Sequence, residues 1–494
     1  MKRIKLLFLV ILCIIAFHSS AQGYSIKIKI KNLRDTNVIL AHYLGKSIYP
    51  DDTIRLDKNG YGVFKGKEPL PGGMYIIYLP NRNFFDFLLD KNQEFSMEND
   101  TADFLTNIKI TGSPENTKFY DYQRFIQSKR KDREAIAKEM EDTTISKAKR
   151  EKIKARIAEL NEEVDMYQKK IIKDNPGTFL ATFLQSLMEV EVPDPPRKDD
   201  GTIDSAFQYF YYKKHFFDNF DYTDGRLLRT PLYESKVMQY ITNVIPQIPD
   251  SINKELDVIL TNSMKDKDVF RFNLIKFFNH YAKSNIMGMD AVYIHLAEKF
   301  YIPHADWSDS TFINKLKKHV QEAKPTLIGN IAPDIDLIWV PVDHFKAAAN
   351  DTALKNYVHA GRRITLHQMN APFIVLAFWE KDCGHCRKII PELYKVYNDT
   401  LKSLGVQVIA FHMLFGVEGK QKWVDFVNEH QLYDWINVWN PYSYRFKELY
   451  DIKSTPVILL LDEDKKIVAK KIGPEHIKDI VLALNRQKKK KQQQ

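Results

Sequence analysis

The sequence predicts a multidomain protein: an N-terminal β-sandwich-like domain over 24–112, a central α-helical domain over 113–325 and a C-terminal α/β domain over 326–486. Three observations carry that division. Strict alternation through Tyr24-Ser25-Ile26-Lys27-Ile28-Lys29-Ile30 has the period of a half-buried strand. Ile153, Ile157, Leu160, Val164, Tyr167 and Ile171 step by four and three through a charged background, which is one apolar face of a helix. Beyond about residue 373, apolar runs alternate with helical stretches, the order of an α/β sheet.

At the N-terminus, Lys2-Arg3-Ile4-Lys5 precedes an apolar run from Leu6 to Phe17 and then Ser19-Ser20-Ala21, the layout of a signal peptide cleaved after Ala21. The run falls short of the roughly 20 apolar residues that a membrane-spanning helix needs, which weighs against an anchor. Lipidation at Cys13 is the weaker reading, because Leu12 precedes it and the apolar run continues past it. No later segment approaches spanning length, so the expected mature protein is soluble in the periplasm or cell envelope, where disulfides persist.

Of the formal charge of +10, Lys2, Arg3 and Lys5 carry three and Arg486 with Lys488 to Lys491 carry five, leaving about +2 between them. No basic face is implied, and a nucleic-acid partner is not expected. The stretch 487–494 reads as a basic, solvated, disordered tail.

Within 24–112, Asn37 to Ala41, Gly73 to Leu79 and Phe84 to Leu89 are further strand candidates, separated by turn chemistry such as Lys58-Asn59-Gly60 and Pro71-Gly72-Gly73. An antiparallel sandwich or a small barrel fits. From Ser113-Pro114-Glu115 the pattern turns helical. The 153–171 stripe either packs on the preceding helix, about Lys118 to Met140, or forms a dimerisation arm; short stripes of this kind are common inside ordinary bundles. Val192-Pro193-Asp194-Pro195-Pro196 interrupts the helices, and Phe207, Tyr209, Phe210, Phe216 and Phe217 read as core. In the last region the strands are Phe373 to Trp379, Val406 to Met413, Pro456 to Asp462 and Lys466 to Gly473. The helices are Gly384 to Ser403, Gly419 to His430 and Pro474 to Leu484.

The chain has three cysteines, and removal of the leader leaves only Cys383 and Cys386, in Trp379-Glu380-Lys381-Asp382-Cys383-Gly384-His385-Cys386. A disulfide enclosing two residues stabilises little, because loop-closure entropy grows with the chain enclosed. The pair therefore reads as chemical. A strand ending at Trp379 and a helix starting near Cys383 put that sulfur where unsatisfied N–H groups favour an anion, so Cys383 is the expected nucleophile. Cys386, one turn deeper, is the expected resolving thiol. His385 is either a cation that favours the dithiol or a solvated residue at a variable position, and Asp382 opposes the thiolate, offset in part by Lys381 and Arg387. Zinc wants four ligands and no second pair exists. Copper through two thiolates stays open. His215, His280, His295 and His304 show no ligand spacing, so neither metal nor other cofactor is expected.

Phe378-Trp379, Cys-Gly-His-Cys and Pro391 together resemble the thioredoxin superfamily. Ala332-Pro333-Asp334, Tyr450-Asp451-Ile452, Ser454-Thr455-Pro456 and Leu461-Asp462-Glu463-Asp464 are similar to motifs of the envelope TlpA/ResA type. The resemblance implies a thioredoxin-like fold for 326–486, a cis Pro456 that shapes the groove and keeps metal off the thiols, and a Thr455 backbone that pairs with an extended substrate. It also marks Gly384, His385 and Trp379 as modulators of the site. The first two regions resemble, more loosely, uncharacterised domains that precede thioredoxin domains in exported bacterial proteins. Two positions depart from the pattern. The buried aspartate of thioredoxins is Ala377 here and the glutamate of ResA-like proteins is Ile389, with Glu380 the nearest substitute by position.

The expected function is that of an exported thiol-disulfide oxidoreductase acting on protein thiols or disulfides of the envelope, recycled by a membrane or soluble redox partner. The alternative is an envelope binding or scaffold protein whose thioredoxin domain is a redox-gated recognition module.

Overall fold

The computed structural model describes residues 23–140 and 145–492. The expected signal peptide, 1–21, lies outside them. The chain divides into two compact units, one formed by residues up to 247 with 255–270, the other by 248–254 with 271–494.

The first unit opens with eight strands: β1 (Tyr24–Lys31), β2 (Asn37–Leu44), β3 (Ser47–Arg55), β4 (Tyr61–Gly66), β5 (Gly73–Tyr78), β6 (Phe84–Leu89), β7 (Glu94–Asp100) and β8 (Lys109–Thr111). They form two four-stranded sheets, β4-β1-β7-β8 and β3-β2-β5-β6. Alternation in β1 buries Ile26, Ile28 and Ile30 and leaves Lys27 and Lys29 in water. Phe87 of one sheet meets Phe95 of the other edge-on at 5.9 Å, so a sandwich results, but not the wholly antiparallel one expected, because β1 and β7, far apart in the chain, pair in parallel. Pro50, Asp51 and Asp52 hid β3. It is an edge strand with a bulge opposite Leu40 and Ala41, where a proline costs no ladder hydrogen bond.

Two helices follow, α1 (Pro114–Glu139) and α2 (Lys147–Asp174). Ser113 caps α1 through the Asn116 N–H. The Asn116 side chain accepts from Leu88 N at 2.7 Å and donates to Leu88 O at 2.8 Å, so the helix satisfies the free edge of β6 that would otherwise invite pairing. The apolar stripe of α2 packs within the chain: Tyr167 lies 4.2 Å from Phe125 and 6.4 Å from Tyr122, ring to ring, and Ile153, Leu160 and Ile171 are buried. Of the aromatics read as core, Phe216 is buried, but Phe210 is 62% exposed on a helix that buries no side chain.

The expected single helical domain is divided. Residues 271–325 pack with the α/β region, where the Lys470 ammonium donates to Thr326 O at 2.9 Å and pairs with Asp290. That region holds β9 (Asp336–Trp339), β10 (Arg362–Thr365), β11 (Phe373–Trp379), β12 (Val406–His412), β13 (Ile436–Trp439), β14 (Val457–Asp462) and β15 (Ile467–Lys470), in the order β10-β9-β13-β12-β11-β14-β15. β11 runs parallel to β12 and antiparallel to β14, and all seven of its residues are buried. Its alternate side chains feed two cores: Phe373, Val375, Ala377 and Trp379 on one face, Ile374, Leu376 and Phe378 on the other.

The first face is covered by α3 (Cys386–Val396), α4 (Gly416–Glu429) and α5 (Pro474–Gln492). The basic end expected to be disordered from residue 487 continues α5 to Gln492. Lysine and glutamine favour helix, and Lys488 lies over the Phe373 ring at 5.0 Å while pairing with Glu463. Among the described residues no helix is long and apolar enough to cross a membrane.

Candidate active site

The site forms where β11 ends and the chain turns into α3, at the carboxyl edge of two parallel strands, a place where α/β sheets leave an accessible crevice. Trp379, the last residue of β11, is buried between His412, 4.9 Å away on β12, and Phe426 on α4. It holds the turn from beneath and does not reach the surface. Gly384 and His385 are exposed, and His385 is the N-cap of α3. A Cβ on Gly384 would meet only Arg387 Nη2 at 3.9 Å. The turn therefore has room for a side chain there, and Gly384→Ala should leave the free energy of unfolding, from urea denaturation, within about 0.5 kcal/mol of wild type.

Helix α3 starts at Cys386, later than the start expected near Cys383 and Gly384. The electrostatic consequence is retained, because the Cys386 N–H points out of the first turn at the Cys383 sulfur, 3.3 Å away. The Cys383 thiol donates to Thr455 O at 3.1 Å. Partial burial pushes this thiol up, but hydrogen bonds to the sulfur from the Cys386 thiol and from the N–H groups of Cys386 and His385 help to outweigh it, and Cys383 lies below the ordinary cysteine range. Cys386 is fully buried, and burial pushes its thiol up to about 12. Two chemically identical groups, both free thiols, are thus set apart by their surroundings alone.

Thr455 and Pro456 come from the other side of the sheet's end, joined by a cis peptide bond that the resemblance had implied. The Thr455 hydroxyl donates to Glu380 Oε1 at 3.3 Å. This brings together the two cysteines, Glu380, Thr455 and Pro456, which are separated by about 70 residues of sequence. Ala377 and Ile389, where carboxylates were missed, are apolar parts of the core on this face.

Asp382 is answered by a lysine 40 residues away in the chain. Lys422 on α4 pairs with it at 2.7 Å and with Glu418 at 2.6 Å. Only an i, i+4 relation between Glu418 and Lys422 was visible in the chain. Lys422→Ala should free the Asp382 charge and slow thiol attack by Cys383 less than about fivefold, the scale of an exposed ion pair, with the loss shrinking in high salt.

One other cluster escaped sequence spacing. His319, Glu322 and Asp451 place ligand atoms within 4.8 Å of one another. The Lys453 ammonium occupies the same spot, 2.8 Å from His319 and 3.0 Å from Asp451.

Residues 372–467 match a family described as thioredoxin-like, and 24–119 and 178–324 match two domains of unknown function. No curated protein matches the chain. Among solved structures, it is similar to a domain of a possible thiol-disulfide isomerase from Cytophaga hutchinsonii, with 28% identity over 33% of this chain and 97% of that one and a TM-score of 0.27. A thioredoxin-like protein from Bacteroides caccae is 18% identical over 60% of this chain and 99% of its own, with a TM-score of 0.40. The thioredoxin domain of a thiol-disulfide oxidoreductase from Bacteroides vulgatus is 23% identical over 32% and 96%, with a TM-score of 0.26. The C-terminal domain is a thioredoxin-like α/β domain, preceded by a β-rich region and a helical region.

Proposed function

We propose that this protein is an exported thiol-disulfide oxidoreductase that exchanges disulfides with envelope proteins through Cys383 and Cys386. The observation that carries the reading is the split between the sulfurs: a partly exposed Cys383 that accepts the Cys386 N–H at 3.3 Å and is held low, beside a fully buried Cys386 held high. Thiol exchange needs that asymmetry. The outer thiolate attacks a partner disulfide, forming Cys383–S–S–partner and expelling the second partner sulfur as thiolate. The inner thiol then loses its proton and attacks Cys383 Sγ, forming the Cys383–Cys386 disulfide and releasing the partner thiol. Run backwards, the same steps oxidise a partner.

The exposed Gly384 and His385 border the sulfur, and attack by a partner would free the Thr455 carbonyl from the Cys383 thiol for an extended substrate. The signal-like leader and the absence of other cysteines from the mature chain support an extracytoplasmic site of action. Cys386→Ala should accumulate mixed disulfides with specific envelope proteins, read as reductant-sensitive bands. If no such adducts form, the alternative applies: most of the chain precedes this domain, and the protein is then a binding or scaffold protein that carries a thioredoxin module for recognition.

A further inference from the structure

A second set of chemically able side chains gathers away from the cysteines. His319 and Glu322 stand three residues apart on the helix Ser310–Ala323, so both project from one face. Asp451 meets them from the turn after the helix Arg445–Leu449, where it takes a left-handed φ of 47° that aspartate tolerates better than most residues. Tyr450 beside it is buried and donates to Pro333 O at 2.6 Å, which fixes the turn. One imidazole nitrogen and one oxygen from each carboxylate are thus held within 4.8 Å of one another.

Lys453 already uses this spot as a cation site. Its ammonium lies 2.8 Å from His319 Nδ1. An ammonium has hydrogens to give and no lone pair, so Nδ1 presents its own lone pair to the middle of the cluster, the tautomer and orientation of a metal ligand. The same ammonium lies 3.0 Å from Asp451 Oδ1, yet that buried oxygen has no hydrogen bond, because the contact lacks the geometry for one. Glu322 has only the Lys318 ammonium, 3.7 Å away on a side chain that is 78% exposed. Lys471 is the remaining cation that acts on the imidazole. The amine therefore supplies charge to the cluster without satisfying it. Lys453 is itself 61% exposed, on a stem free to swing into water.

We infer that His319, Glu322 and Asp451 form a binding site for a divalent transition-metal ion, zinc foremost, from which the ion displaces Lys453. One imidazole and two carboxylates suit zinc at about 2.0–2.2 Å, with water as the fourth ligand. Bonds of that length bring the ligand atoms to about 3.5 Å from one another, a contraction of at most about 1 Å that side-chain torsions supply. The two carboxylates balance the charge of the ion, and the Lys453 ammonium moves out to water. Asp451 lies four residues before Thr455, whose carbonyl accepts from the Cys383 thiol, so the bound ion ties the loop that carries Thr455 and Pro456 to the helix Ser310–Ala323. The site stands on its own ligands and does not depend on the thiol-exchange function.

The test is zinc binding by the full chain carrying Cys13→Ser, Cys383→Ser and Cys386→Ser, so that no thiol takes the metal, measured by competition with a chromophoric chelator. His319→Ala in this background should weaken binding more than about 100-fold, beyond what the loss of an outer-shell partner costs. Lys453→Met should tighten it about fivefold, the scale of one exposed ion pair removed as a competitor, whereas damage to the fold would loosen it. Cobalt(II) in place of zinc should give visible absorption bands that His319→Ala abolishes. Zinc held no better by the parent chain than by His319→Ala, or no more tightly by Lys453→Met than by the parent, overturns the site. Neither result bears on mixed-disulfide trapping by Cys386→Ala, which reports on thiol exchange alone.

Discussion

Cys383→Ser should reduce exchange with a small disulfide to the uncatalysed level, a loss of about 10³-fold or more, because removing a covalent nucleophile removes the step and not merely its efficiency. The reason lies in what surrounds the sulfur. A serine hydroxyl placed under the Cys386 N–H and beside Thr455 meets the same donors, yet has no accessible anion at neutral pH. The wild-type rate should rise with pH and level off at a lower pH than free cysteine does against the same disulfide, since the folded chain holds the Cys383 thiol below its ordinary range. Stopped-flow rates between pH 5 and 9 measure both. A Cys383→Ser protein as fast as wild type would remove the basis for any thiol chemistry in this domain.

The second large effect is on stability. Lys420, on α4, is fully buried with no hydrogen-bond partner for its ammonium. It lies over Phe345, Trp423 and Trp439 at 5.6, 5.2 and 5.3 Å, and its neighbour His412 is buried and stacked on Trp423. Ring faces attract a cation but do not replace its hydration shell. Burial accordingly pulls the lysine down to about 8 from its ordinary 10.5. Between those two values the unfolded chain holds a proton that the native one lacks, so stability rises with pH across that window; below pH 8 the full cost is present. Lys420→Met keeps the length and apolar stem without the charge. It should therefore stabilise the C-terminal domain by about 3 kcal/mol at pH 7, the gain fading above pH 8 and vanishing past 10.5. Urea denaturation followed by the fluorescence of the buried Trp379, Trp423 and Trp439 reads this domain. A variant less stable than wild type at pH 7 would show that an acceptor for the ammonium fills the cluster in solution.

Much of this was legible in the chain. Strand β11, an unbroken apolar run, was readable with its limits because a central strand buried on both faces needs every side chain apolar. The place of the cysteine pair, at the turn that follows a central strand, was legible from its spacing and from the apolar run before it. Strands β9, β10 and β13, of four residues each, were not marked, since so few residues establish no period and a short run is decided by the neighbour it pairs with. The end of α5 was not legible, because a lysine run is polar whether it is helical or not, and only Phe373 and Glu463 beneath Lys488 distinguish the two.

The sequence by itself determined the local chemistry: which strand is central, where the turn falls, and that two lone sulfurs sit beside it. What only the tertiary structure decided is everything brought from afar. Thr455 reaches the Cys383 thiol and Glu380, Lys422 pairs with Asp382, and Lys420 is enclosed by three aromatic rings. The difference is physical. Backbone periodicity is written in neighbouring residues, whereas the free energy of a proton on a sulfur or an amine depends on burial and on partners tens of residues away, which are fixed only when the sheet closes.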